Sequence, residues 1–163
     1  MKTVLIRAPL LTMSGYGVHS RQIFRWLSER GGVALKANIL NWGTCSWMLD
    51  SNLENGLVGK IMQASSGPEV KRDVSFQLQL PNEWDPNLAG HNVGVSAVVE
   101  TDICNPKWIE CCNKMDAIVV PSKHTASVLQ KSGKLTTPVH VIGESFIDEC
   151  VTADPLDLEL ETN

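Results

Sequence analysis

The sequence predicts an α/β fold, a parallel sheet with helices on both faces, built as one domain. Three observations carry that reading. Short apolar runs such as Val4-Leu5-Ile6 and Ala117-Ile118-Val119-Val120 lack the alternation of a half-solvated strand and suit central parallel strands. Segments with helical apolar spacing fall between such runs, and strands alternating with helices imply a parallel sheet. The chain has 163 residues, 43% of them hydrophobic. That length sets one domain as the expectation, and the composition excludes a chain disordered throughout.

The elements follow in order. After the first strand comes a small-residue loop with Ser14, Gly15 and Gly17. A helix is expected over residues 18–30, with Ile23, Phe24 and Leu27 on its apolar face and Gly31-Gly32 as its stop. Residues 33–40 place apolar side chains at odd positions, a strand signature. Residues 41–68 mix Gly43, Gly56, Gly59 and Gly67 with Trp42 and Trp47, and allow a short helix near 57–63. Residues 74–80 alternate cleanly and read as a strand. A long polar loop spans 82–92, and a buried strand is expected over 93–99, ending at Glu100-Thr101-Asp102. A helix over 106–114 opens on Pro106, whose missing N–H costs nothing in a first turn. Residues 117–120 form a strand, Ser122 caps the helix that ends at Gly133, and 138–142 is the last strand.

Charge divides the chain unevenly. Seven of its 18 acids (Glu144, Asp148, Glu149, Asp154, Asp157, Glu159, Glu161) and none of its 14 Lys and Arg lie beyond residue 143. The body therefore holds 14 bases against 11 acids, and the expected division is a domain over 1–148 with an acidic tail over 149–163. No concentrated basic stripe points to nucleic acid. No apolar run reaches the 18 residues of a membrane span, and no signal-peptide pattern opens the chain. Five cysteines without a C-x-x-C pair read as reduced thiols, so a cytoplasmic location is expected and no metal or cofactor is implied.

In an open parallel sheet, ligands bind beyond the carboxyl ends of the strands. The candidates there start with Gly15 and Gly17, whose loop permits close backbone approach and leads into a helix N-terminus that attracts anions. Only two glycines are present, so a plain tight turn explains them equally well. His19 follows that loop and is either ligand-facing or an exposed first-turn residue. Glu100, Thr101 and Asp102 either hold sugar hydroxyls, with one carboxylate able to take a proton, or form a solvated strand end with Asp102 capping a turn. Trp84, within Asn82-Glu83-Trp84-Asp85-Pro86, is the tryptophan placed to touch a ligand; the others read as packing.

Five segments together resemble a known group: Ser14-Gly15-Tyr16-Gly17, Leu80-Pro81-Asn82-Glu83-Trp84-Asp85-Pro86, Glu100-Thr101-Asp102 with Trp108, Asn113-Lys114-Met115-Asp116, and Val120-Pro121-Ser122. In that order they are similar to the N-terminal, acceptor-side domain of GT-B-fold glycosyltransferases of the family-4 type. The resemblance implies a Rossmann-like domain, with Gly15 and Gly17 near the donor phosphates and Glu100, Thr101 and Asp102 near the transferred sugar. Many relatives carry a His where this chain has Glu-Thr-Asp, so the resemblance assigns no catalytic residue. It also implies a donor-binding half with a Glu-x7-Glu motif, and no two glutamates here are eight positions apart. The expectation is therefore half of a hexosyltransferase-class enzyme, inactive alone, its partners a sugar acceptor or nucleotide-sugar and a donor-domain chain or a second copy. Its alternatives are a non-enzymatic glycan- or phosphate-binding module and an interaction protein that uses its acidic tail.

Overall fold

A computed structural model describes residues 1–67, 72–146 and 149–154. The strands are β1 (Lys2–Ala8), β2 (Val33–Ile39), β3 (Val74–Leu78), β4 (His91–Val95), β5 (Ala117–Val120) and β6 (Val139–Val141). All six pair in parallel in one sheet of order β2-β1-β3-β4-β5-β6, the α/β Rossmann-like arrangement that the sequence predicts. The helices are α1 (Gly15–Ser28), α2 (Leu53–Ala64), α3 (Pro106–Cys112), α4 (Lys123–Lys131) and the single turn α5 (Glu149–Thr152). No helix among the described residues is long and apolar enough to cross a membrane. The tail expected over 149–163 lies outside the described residues from Pro155 onward, as does the expected boundary at Asp148.

The alternation of strand side chains divides the core in two. Ala117 and Val119 of β5 join a first cluster with Phe24 and Leu27 of α1, whereas Ile118 and Val120 join a second with Ile109 and Cys112 of α3 and Val128 and Leu129 of α4. The connection from β3 to β4 has a 3-10 turn at Pro81–Glu83 but no α-helix, and two buried amides hold it. Gln77 accepts from the Asp85 N–H and donates to the Asp85 carbonyl, both at 2.8 Å. Asn92 donates to the Pro86 and Ala89 carbonyls and accepts from Ala89 N–H and the Ser75 hydroxyl. These bonds satisfy loop backbone that would otherwise be unpaired beside the sheet.

Several boundaries differ from expectation, each for a local reason. The helix expected from residue 18 starts at Gly15, because the Ser14 hydroxyl accepts from the Gly17 N–H and caps it there. The strand expected over 93–99 stops at Val95. Ser96 still donates its N–H to Val119, but Val98 takes a left-handed φ of 63°, which ends the ladder. The strand expected over 74–80 likewise stops at Leu78. The short helix near 57–63 extends to Leu53–Ala64 and begins with a left-handed turn at Glu54, Asn55 and Gly56. Glu54 is held in that costly conformation by Arg21 Nε at 2.5 Å and Arg25 at 3.3 Å.

Candidate functional site

Strand order reverses between β1 and β3, since the chain passes from β1 to β2 on one side and then returns to β3 on the other. Ligand sites in such sheets lie at the carboxyl ends beside that reversal. The loop after β1 reaches this place in a fixed form. The Arg21 guanidinium, almost fully buried, donates to the Leu10 and Thr12 carbonyls at 3.1 and 2.9 Å. A β-carbon on Gly17 would collide with the Thr12 carbonyl oxygen, so the helix can approach the loop this closely only without a side chain there. A β-carbon on Gly15 would meet nothing. Gly17 is therefore a packing glycine, and Gly15 is under no steric demand in the free protein.

Tyr16 joins this loop to the end of β4. Its ring stacks on Trp42, with centroids 4.3 Å apart, and its hydroxyl bonds Ser96 Oγ at 2.9 Å and accepts from the Ala97 N–H at 3.1 Å. Burial pushes the Tyr16 phenol above its usual 10.0, against these hydrogen bonds, which favour the anion. Beyond Ser96, Val98 is buried in the left-handed region, a conformation that β-branched residues rarely adopt.

One turn along α1, His19 faces the segment that follows β6. Glu144 Oε1 lies 3.3 Å from His19 Nδ1, and Gln22 Nε2 donates to the Ser145 carbonyl at 2.6 Å. The pair carries opposite charges only if His19 is protonated, and here burial prevails over the carboxylate. Burial holds the imidazole below its ordinary 6.5, which favours the neutral form at pH 7. A carboxylate beside Nδ1 favours the tautomer with its proton there, which leaves Nε2 as an acceptor. Nε2 has no hydrogen-bond partner among the described residues.

A cavity of about 310 Å³ opens beside this pair, lined by His19, Gln22 and Ser145 at its polar end and by apolar side chains from α1, β3, β4 and β5. Among the described residues no cluster of three or more His, Cys, Asp or Glu could hold a metal ion. Cys45, Cys104, Cys111 and Cys112 are unpaired, and burial, with Cys104 and Cys111 nearby, pushes the Cys112 thiol up to about 12. Comparison with protein-family models, with curated proteins and with solved structures gave no match.

The remaining predicted residues lie elsewhere. Glu100, Thr101 and Asp102 are exposed, five to seven residues past the end of β4, and Thr101 donates its hydroxyl to Ile103. Among the described residues no hydrogen bond or ion pair links them to Tyr16 or His19. Trp84 is not a ligand-facing ring in this structure. It is 8% exposed and lies in the second core cluster against Gly94, where a β-carbon would come within 2.7 Å of its ring atoms. Ser14 already occupies the Gly17 N–H, which leaves less of the helix N-terminus for an anion than the glycine loop suggests. Glu144, Ser96 and Gln22 were not singled out. Their partners are 80 to 125 residues away in sequence, so no local spacing announces them.

Proposed function

We propose that the chain is the acceptor-side half of a sugar-transferring enzyme. It binds a hydroxyl-bearing acceptor at the carboxyl end of the sheet, and a donor-binding partner supplies the nucleotide-sugar. The observation that carries this reading is the His19–Glu144 pair: Nδ1 lies 3.3 Å from a carboxylate oxygen, in an imidazole that burial biases toward its neutral form. In sugar transfer the acceptor oxygen bonds to the anomeric carbon as the bond from that carbon to the nucleotide diphosphate breaks. His19 Nε2 takes the hydroxyl proton, and Glu144 stabilises the imidazolium that forms. The stacked rings of Tyr16 and Trp42 offer an apolar surface for the C–H face of a sugar. The exposed Glu100 and Asp102 are free to turn toward its hydroxyls.

The test is calorimetric titration of the chain with simple sugars and nucleotide-sugars, alongside a donor-hydrolysis assay. The expected result is binding of a simple sugar, at least tenfold weaker in His19→Phe, with no donor turnover until a donor-binding chain is added. Turnover by the chain alone would make it a complete enzyme. Sugar binding that His19→Phe leaves unchanged would remove the role given to the imidazole.

A further inference from the structure

We propose that the cavity beside α1 is a binding site for a neutral alcohol with an apolar body, whose hydroxyl donates to His19. The inference rests on reading His19 as the hydroxyl-accepting group, and it adds the chemical class of the molecule that carries the hydroxyl.

Parallel sheets bury both faces. On the face that carries α1, the helix leaves Phe76 of β3 and Val119 of β5 half-buried, with Val95 of β4 between them. Ile23 and Trp26 of α1 form one wall, and Ile142, after β6, continues the apolar lining. Trp26 is 49% exposed and Ile142 57%. A volume of about 310 Å³ is at the small end of the range for small-molecule sites, roughly 300–1,000 Å³. The lining is that of such sites: mostly apolar, with a few polar groups gathered at one end.

The polar end sets the kind of head group. His19 Nε2 and Gln22 Oε1 are both acceptors without a donor among the described residues. The amide orientation of Gln22 is fixed, because its Nε2 must face the Ser145 carbonyl. A buried acceptor without a donor, Gln22 Oε1, beside a second acceptor at His19 Nε2 calls for a ligand that donates. A carboxylate head has no proton to give and meets the field of Glu144. An ammonium head donates, yet it must shed its water in a largely apolar cavity, with only Glu144, across the imidazole, as compensation. A hydroxyl meets the demand without a buried charge.

The experiment is methyl and amide NMR titration of the full chain with 1-octanol, octanoate and octylamine. Saturable shifts at Val95 and Val119 are expected for 1-octanol, with at least tenfold weaker binding of the other two. Val119→Trp fills the cavity from a half-buried position and should weaken 1-octanol at least tenfold. If that variant does not fold, Ile23→Glu on the opposite wall should do the same. His19→Phe should reduce 1-octanol at least fivefold, leaving apolar contact alone. No saturable shift, equal or tighter binding of octanoate or octylamine, or methyl contacts showing the cavity filled by residues 155–163 or by a second copy would overturn the proposal. Binding of 1-octanol without sugar transfer would leave this site standing and sink the transferase reading. Sugar binding through His19 without 1-octanol binding would do the reverse.

Discussion

Removing one hydroxyl tests how the end of β4 is held. Tyr16→Phe keeps the ring stacked on Trp42 and deletes only the bonds to Ser96 Oγ and the Ala97 N–H. Each such bond contributes about 0.5–1.5 kcal/mol net. Ala97 is exposed, so water replaces its partner, and Ser96 still accepts from the Val98 N–H. The expected loss is therefore about 1–2 kcal/mol, or roughly 2–8 °C in Tm for a domain of this size. Urea denaturation should show a lower midpoint at unchanged slope, and hydrogen exchange should quicken at Ala97 and Val98 first. Tyr16 is the only tyrosine in the chain, so phenolate absorbance reads its ionisation without overlap. Burial raises that pKa above 10.0. The folded state therefore holds the proton more tightly than the unfolded, and the stability this contributes is full below pH 10 and lost as pH rises through the folded value. A midpoint within about 0.3 kcal/mol of the wild type, or ionisation at the ordinary pH, would refute this account of the loop.

Gly17→Ala drives a β-carbon into the Thr12 carbonyl and should destabilise by about 1–3 kcal/mol, whereas Gly15→Ala meets nothing and should be neutral or stabilising by up to about 1 kcal/mol; paired urea curves check both. Trp84→Ala should cost about 3–5 kcal/mol by leaving a cavity over Gly94, and it should change sugar affinity little when measured where the variant is folded. His19 is held below 6.5 by burial, so the unfolded chain binds more protons as pH falls. Its contribution to stability is full above pH 6.5 and declines as pH drops through and below that value. His19→Phe should flatten that decline in denaturation curves taken from pH 8 to pH 5.

The sheet was legible because its signals are local. Runs such as Val4-Leu5-Ile6 and Ala117–Val120 are too apolar to be anything but interior, Ser122 caps the helix it precedes, and Pro106 opens α3. The polar loop before Asn92 was legible as a loop, though the amides that hold it are paired across it. Position 98 was not legible, because valine reads as strand and its left-handed turn is imposed by bonds to Ser96 and, through Ala97, to Tyr16 and Thr125. Trp84 misled because its neighbours are polar, while the space that buries it is created ten residues later by Gly94. His19 was identified by its place after a glycine loop. The partner on which its proposed role depends is Glu144, which in sequence is one acid among a run of acids.

The most direct test of the central claim is nitrogen-15 NMR of the His19 imidazole as pH is varied, with and without a binding sugar. The expected result is a neutral ring at pH 7 with its proton on Nδ1, a pKa below 6.5, and a shift of Nε2 when the sugar binds. A proton on Nε2, a ring charged at pH 7, or an Nε2 signal indifferent to the sugar would contradict it.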